Sequence, residues 1–392
     1  MRWPVRISQP GSGGGPPPPG DSLDRFAPKY LVGCTDAPYS DTADETGTAA
    51  GFTYIADAGD GLGIATALSL AGAVAGDVWI RPGIYTISQT LTVPANVTVR
   101  GSGVGTFIQS ANGTIAGALI SLNDQSALHS MSLSHNQPLA SNTQYGVVDL
   151  RGNKATALCV DVDVSTLWAT PSNTTLYGGF ASENVGGANE TKLRCVRCSV
   201  QYGRNNASPN FDYKTNLVGY RGKDASVELT DCSSQYLAFA VGYGVILVNS
   251  NTGLGSLVVR GGTFNGYGGG IFVDGGAVTT MLVDGAKISC ADQNNASTCV
   301  GNLNAVRITL SNCTLNGGGA GQAIYLDPGT SPIMDNKGSI VGNTINIGNP
   351  TVAWNSIGGV NSGYHVIIGN TYTGTTPVVT GANDEVAHNI NI

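Results

Sequence analysis

Two carboxylates one residue apart, Asp161 and Asp163, stand in the middle of this chain, and two guanidinium groups, Arg194 and Arg197, follow about one structural repeat later. Glycoside hydrolysis needs two carboxylates facing one sugar, and β-elimination from a uronate needs a base with cationic or calcium support. The i,i+2 spacing predicts that both carboxylates lie on one face of a strand. Asp274 with Asp284, and Asp327 with Asp335, are more widely spaced pairs, and the four histidines, His129, His135, His365 and His388, are scattered. A solvated face or a salt bridge is the plainer reading of Asp161 and Asp163. No catalytic residue is therefore assigned, and these two are carried forward as the candidates.

The eight cysteines offer a second chemistry. Cys195-Val-Arg-Cys198 has the spacing of a metal or redox site, but no second CxxC or nearby His completes a zinc set. Cys198, Cys232 and Cys313 occupy one recurring small position, where a thiol packs as a compact hydrophobe. No metal or cofactor is expected. Cys290 and Cys299 bracket a polar loop and are the best-placed disulfide candidates. Aromatic residues concentrate between Tyr202 and Phe272. A tyrosine can stack on a sugar face while its hydroxyl bonds, so Tyr236, Tyr243 and Tyr267 are glycan-binding candidates. The competing reading places the phenylalanines in the core and the tyrosines over a contact between subunits.

What must position these residues is a phrase that recurs along the chain. An aliphatic or thiol residue, two spacers and a small or thiol residue read Leu128-His-Ser-Met131, Cys195-Val-Arg-Cys198, Val283-Asp-Gly-Ala286 and Ile367-Ile-Gly-Asn370, among others. Between successive last positions the step varies from 19 residues (Asn370 to Asn389) to 36 (Val162 to Cys198). Such self-similarity marks a solenoid, whose units bury their apolar faces only by stacking. Val97/Val99, Val227/Leu229 and Ile308/Leu310 are apolar at i and i+2, so the unit is β. A constant phrase with variable spacing predicts an all-β parallel β-helix whose loops differ in length.

Composition sets outer limits. There are 56 Gly, but 41% of residues are hydrophobic and no Gly-X-Y period appears, which favours a packed core over disorder. With 11% charged residues and a net charge of −7, the chain lacks an electrostatic footprint for nucleic acid or an anionic membrane. Residues 1–26 read as a Gly/Pro-rich arm with Arg2, Trp3 and Ile7 as anchor candidates, 27–59 as an extended connector, and 60–392 as the β-helix. A helix should open it, with Asp60 as N-cap, Ile64, Leu68, Ala71 and Ala75 on one side, and Gly76 as the left-handed C-cap. That helix would cover the open end of the solenoid; a neighbouring chain is expected to cover the other. No apolar run of signal-peptide length follows the first residues, so no export leader is expected.

Residues 60–103, running Gly-Asp-Val-Trp-Ile-Arg-Pro-Gly-Ile-Tyr-Thr-Ile and then Leu-Thr-Val-Pro-Ala-Asn-Val-Thr-Val-Arg-Gly-Ser-Gly, resemble the opening coils of the pectin-lyase-like β-helix superfamily. That superfamily includes polysaccharide lyases, polygalacturonases and bacteriophage tailspikes. The resemblance implies a right-handed, single-stranded parallel β-helix and leaves function open. This chain lacks the Asn-Thr-Asp, Asp-Asp and Gly-His-Gly signatures of polygalacturonases and the Trp-Ile-Asp-His of pectate lyases. The expectation is a non-enzymatic protein of a bacteriophage virion surface, a homotrimeric spike or fibre on tail or capsid. Its arm would contact other virion proteins, and its surface could bind host polysaccharide. A polysaccharide lyase or glycoside hydrolase, and a bacterial adhesin, are the alternatives.

Overall fold

A computed structural model describes residues 30–34, 53–111, 114–136, 145–152, 155–168, 177–184, 191–204, 215–221, 225–236, 243–248, 255–266, 269–274, 278–290, 298–303, 307–317, 324–327, 337–347, 355–356, 364–373 and 385–391. Every strand pairing among them is parallel. Each full coil contributes three strands, as in Thr191–Val196, Ser199–Arg204 and Thr215–Arg221, and each strand pairs with its counterpart one coil away. The chain is thus a parallel β-helix with three faces, right-handed by the rule governing parallel crossovers.

The recurring phrase is the corner between the first and second faces. Its first residues pair in unbroken register: Val99 with Leu128, Leu128 with Cys159, Cys159 with Cys195, and onward to Ile367 with Val386. Its third residue is left-handed in ten successive coils: Ser130, Asp161, Arg197, Asp231, Gly261, Gly285, Asn312, Gly342, Gly369 and His388 all have φ between 49° and 68°. This conformation turns the chain between faces while keeping its amide on the ladder. Arg197 N donates to Thr230 O, Asp231 N to Arg260 O, and Gly261 N to Asp284 O.

The fourth residue points into the core, and its chemistry changes along the solenoid. Near the C-terminal end it is asparagine. Asn343 and Asn370 each use Oδ1 to accept the backbone N–H of the matching residue one coil earlier (Cys313 and Asn343), both at 2.9 Å, and Nδ2 to donate to the first-position carbonyl of that coil, Leu310 or Ile340. Asn389 repeats both bonds, to Asn370 N and Ile367 O. At two of the cysteines the thiol supplies the same donor: Cys232 Sγ reaches Cys195 O at 3.3 Å and Cys313 Sγ reaches Val283 O at 3.7 Å, whereas Cys198 Sγ donates to Val196 O. The sequence reading of these thiols as packed core residues holds, since Cys198, Cys232 and Cys313 are buried. It missed their hydrogen bonds. Burial pushes Cys195 up and brings Cys313 to about 11, so both remain S–H groups.

The opening helix spans Leu62–Gly72 and buries Ile64, Ala67, Leu68 and Ala71 against the first coils. Two strands of the first face, Tyr30–Cys34 and Thr53–Asp57, precede it and lie in the segment read as a connector. Its ends differ from expectation. Asp60 only accepts from Leu62 N at the surface, whereas buried Asp57 accepts from Gly59, Gly61 and Ile64 N–H at 2.8, 3.0 and 3.0 Å. A carboxylate held there satisfies orphan amides and faces the positive end of the helix dipole. At the other end Ala75 (φ 51°), not Gly76, takes the left-handed position, and Gly76 N closes the turn on Ala71 O. Cys299 is buried on the third face, and the side chain of Cys290 lies outside the described residues, as does the disulfide expected between them.

Three outcomes are expected in denaturant titrations. Asn370→Ala strands Asn343 N and Ile340 O in the core and should cost about 2–4 kcal/mol, whereas Cys232→Ala loses a weak donor and should cost about 1 kcal/mol. Ala75→Gly, which relieves a left-handed alanine, should raise stability by about 1 kcal/mol.

Candidate functional site

Asp161 is the left-handed corner residue itself, and Asp163 begins the second-face strand segment that pairs with Ser199. Within Thr156–Trp168, residues 156–160 pair on the first face and 163–168 on the second. The turn at Asp161 therefore breaks the alternation that would have put both carboxylates on one strand face. Each has a partner one coil on. Asp161 accepts two bonds from Arg197, from Nε at 2.7 Å and Nη2 at 2.8 Å, and Asp163 accepts the Ser199 hydroxyl.

The guanidinium holds the Asp161 carboxyl below its ordinary value. Arg194 lies on the first face and pairs with Glu228 at 2.9 Å, so it does not join the two aspartates. Asp284 also sits beside a corner and accepts from Ser311 Oγ and Asn312 Nδ2, which hold its carboxyl low. Asp274 belongs to the third face by its backbone, so these two are not strand-face neighbours. Among the described residues no three His, Cys, Asp or Glu side chains are arranged to hold a metal ion.

Signs alternate along the corner: Asp161, Arg197, Asp231, then Arg260 and Asp284 at the preceding spacer position of the next two coils. His129 lies near Arg100, Asp161 and Asp77, and burial, followed by Arg100, lowers its basicity. His135 is buried and bridges two turns of chain, with Nδ1 2.9 Å from Ser110 Oγ and Nε2 2.8 Å from Gly117 O. Since the carbonyl can only accept, Nε2 carries the proton and Nδ1 accepts from the serine. Nothing in the sequence distinguished this histidine from the others.

Of the glycan-binding candidates, Tyr236 and Tyr243 are placed by their backbones, in the strands Ser233–Tyr236 and Tyr243–Val248, and Tyr236 pairs with Tyr202. Tyr267 lies outside the described residues, as do Arg2, Trp3 and Ile7 and the arm that carries them. Phe264 is a core residue.

No family model matches this chain, and no curated protein matches it. Among solved structures, the A-module of the mannuronan C-5 epimerase AlgE4 of Azotobacter vinelandii is similar, at 17% identity and a TM-score of 0.36, over 84% of this chain and 97% of that one. At that identity and score the likeness says nothing about activity.

Burial lowers the His135 pKa, so its unfolded form binds the proton more readily than its folded form. The stability contributed by the neutral ring is complete above the unfolded value of about 6.5 and is lost as pH falls from there through the folded value. Unfolding midpoints measured from pH 7.5 to 5 should fall over this window, and the part due to His135 should vanish in His135→Gln.

Proposed function

We propose that this chain is a non-enzymatic structural protein of a bacteriophage virion surface, a trimeric β-helical spike or fibre anchored by its N-terminal arm and able to bind host-surface glycan. The observation that carries the non-enzymatic part is the engagement of its candidate acids. Asp161 is held by Arg197 and Asp163 by Ser199. A carboxylate held in a bidentate pair by a neighbouring coil is low in basicity and braces one coil against the next, which suits a scaffold better than a proton-transferring pair.

The rod itself supports the structural part. Its ladder is continuous from Thr98 to Ala387 on the first face, which suits a stiff rod. The composition of residues 11–20, a Gly run followed by four prolines, suits a tether that joins a flexible to a stiff segment. The low charge suits neutral partners, other proteins or uncharged glycan.

Antibody labelling of sedimented phage particles should decorate heads or tails; label confined to the soluble fraction would sink the virion assignment. Asp161→Asn with Asp163→Asn should leave any glycan binding intact. Glycan cleavage by the native chain that this double variant abolishes, with assembly unchanged, would restore the enzyme reading.

A further inference from the structure

The three faces differ in the side chains they turn outward. On the third face, Val147, Val148, Asp149 and Leu150 are all buried, so this sheet is covered on both sides where it is described. The first face is mixed, and one of its outward columns sets Arg194 and Glu228 beside Val258 and Leu282.

The second face is uniform. One of its outward columns runs from Ser199 to Thr371 and holds Ser or Thr at every coil except that of Lys287. The column beside it runs from Gln201 to Asn346 and holds only Gln, Asn or Ser. Every residue of both columns is at least partly exposed, and no aliphatic or aromatic side chain interrupts them.

This array is also ordered. The strands beneath it pair in parallel register, so each column advances by about 4.8 Å per coil and the two stand about 7 Å apart. Seven coils separate its ends at Ser199 and Thr371, a strip about 29 Å long. Within it Asn346 Nδ2 donates to Asn316 Oδ1 at 3.0 Å, and Ser289 Oγ donates to Asn265 Oδ1. Such bonds fix the carboxamides before a ligand arrives, which lowers the ordering cost of binding. A carboxamide can make four hydrogen bonds, so exposed Asn316 and Asn346 keep capacity for a ligand.

We propose that this strip of the second face is where the chain holds glycan, and that the glycan is an uncharged polysaccharide lying along the rod; this rests on the glycan-binding reading above. Three features select that occupant. Hydroxyls and carboxamides both donate and accept, as sugar hydroxyls do, so each can meet a sugar in either role. Lys287 is the one charge in the strip, too little to hold a polyanion such as nucleic acid or an acidic glycan. A protein contact draws its energy from aromatic, Met or Arg anchors, and the strip has none. The strip is much longer than it is wide, so a linear polymer follows the columns rather than crossing them. Each hydrogen bond is weak, and retention therefore requires engagement of several coils at once.

Affinity electrophoresis of the full chain through gels containing dextran, mannan or laminarin, with polygalacturonate as the acidic comparison, tests this. At least one neutral polymer should retard the native chain, and polygalacturonate should not. Asn316→Ala with Asn346→Ala should weaken that affinity at least threefold, with an unchanged strand spectrum. Thr309→Ala with Ser339→Ala, a column pair turned outward on the first face, should leave it unchanged. Retardation by none of the four polymers would overturn the glycan reading and this strip together. Retardation by polygalacturonate alone, or retardation that survives the second-face pair or is lost equally with the first-face pair, would overturn the strip alone.

Should the alanine pair lose its strand spectrum, a spin label decides, with the native chain as the labelling blank. A nitroxide attached to Thr344→Cys should lose mobility when the retarding polymer is added, and one attached to Ser339→Cys should not. No response at position 344, or an equal response at both positions, overturns the strip.

Discussion

In this molecule every residue sits above its equivalent in the previous coil, and the structure depends on keeping that register through the corner between the first and second faces. Parallel strands exchange backbone bonds only if the chain turns without losing a step. The left-handed third residue of the phrase provides the turn, and its amide stays on the ladder. Four of the ten positions are filled by glycine, and three of the others are bonded through their side chains. Asp161 and Arg197 brace each other, and Asn312 donates to Asp284. Part of the conformational strain of an L-residue is thus offset by a bond to the coil next to it.

Stacking in register also dictates what may share a column. Like charges repeated at strand spacing would repel along the whole rod, and the corner instead alternates Asp161, Arg197 and Asp231. Inside, the same repetition lets one side chain serve its neighbours. An asparagine can accept from one coil's amide and donate to its carbonyl, so Asn343, Asn370 and Asn389 satisfy backbone groups that strands at a corner leave open. Cysteine in this column offers a donor but no strong acceptor. The middle coils therefore rely more on packing, and the terminal ones on hydrogen bonds.

The fold was legible because its determinants are local and repeated. The phrase carries the register, and pairs such as Val227/Leu229 and Ile308/Leu310, both inward-facing and buried, carry the alternation. The helix was legible as an element but not at its ends, since Asp57 reaches its amides from a preceding strand and Ala75 occupies a conformation that composition assigns to Gly76. The acidic pair misled for a related reason. Spacing of i,i+2 implies a shared face only where the strand is continuous, and here the corner falls between the two residues. The Ser110–His135–Gly117 bridge joins residues whose proximity depends on coil stacking, which no local pattern encodes.

From Leu128 onward the variation in repeat length falls outside the corner; the first coil differs, its register shifting between Arg100 and Phe107. The phrase keeps its four residues from coil to coil, while the connections on either side of the third face differ, as between Arg204 and Thr215 on one coil and Gly266 and Gly269 two coils later. A one-residue slip at the corner would shift one strand against its neighbours and turn its buried residues outward. An insertion beside the third face lengthens a loop and leaves the ladders alone. Changes that alter recognition are therefore tolerated in those connections and in the outward columns, whereas the corner is constrained by all the coils stacked on it. In such an architecture the core sets how long and how straight the rod is, and partner choice is left to its sides.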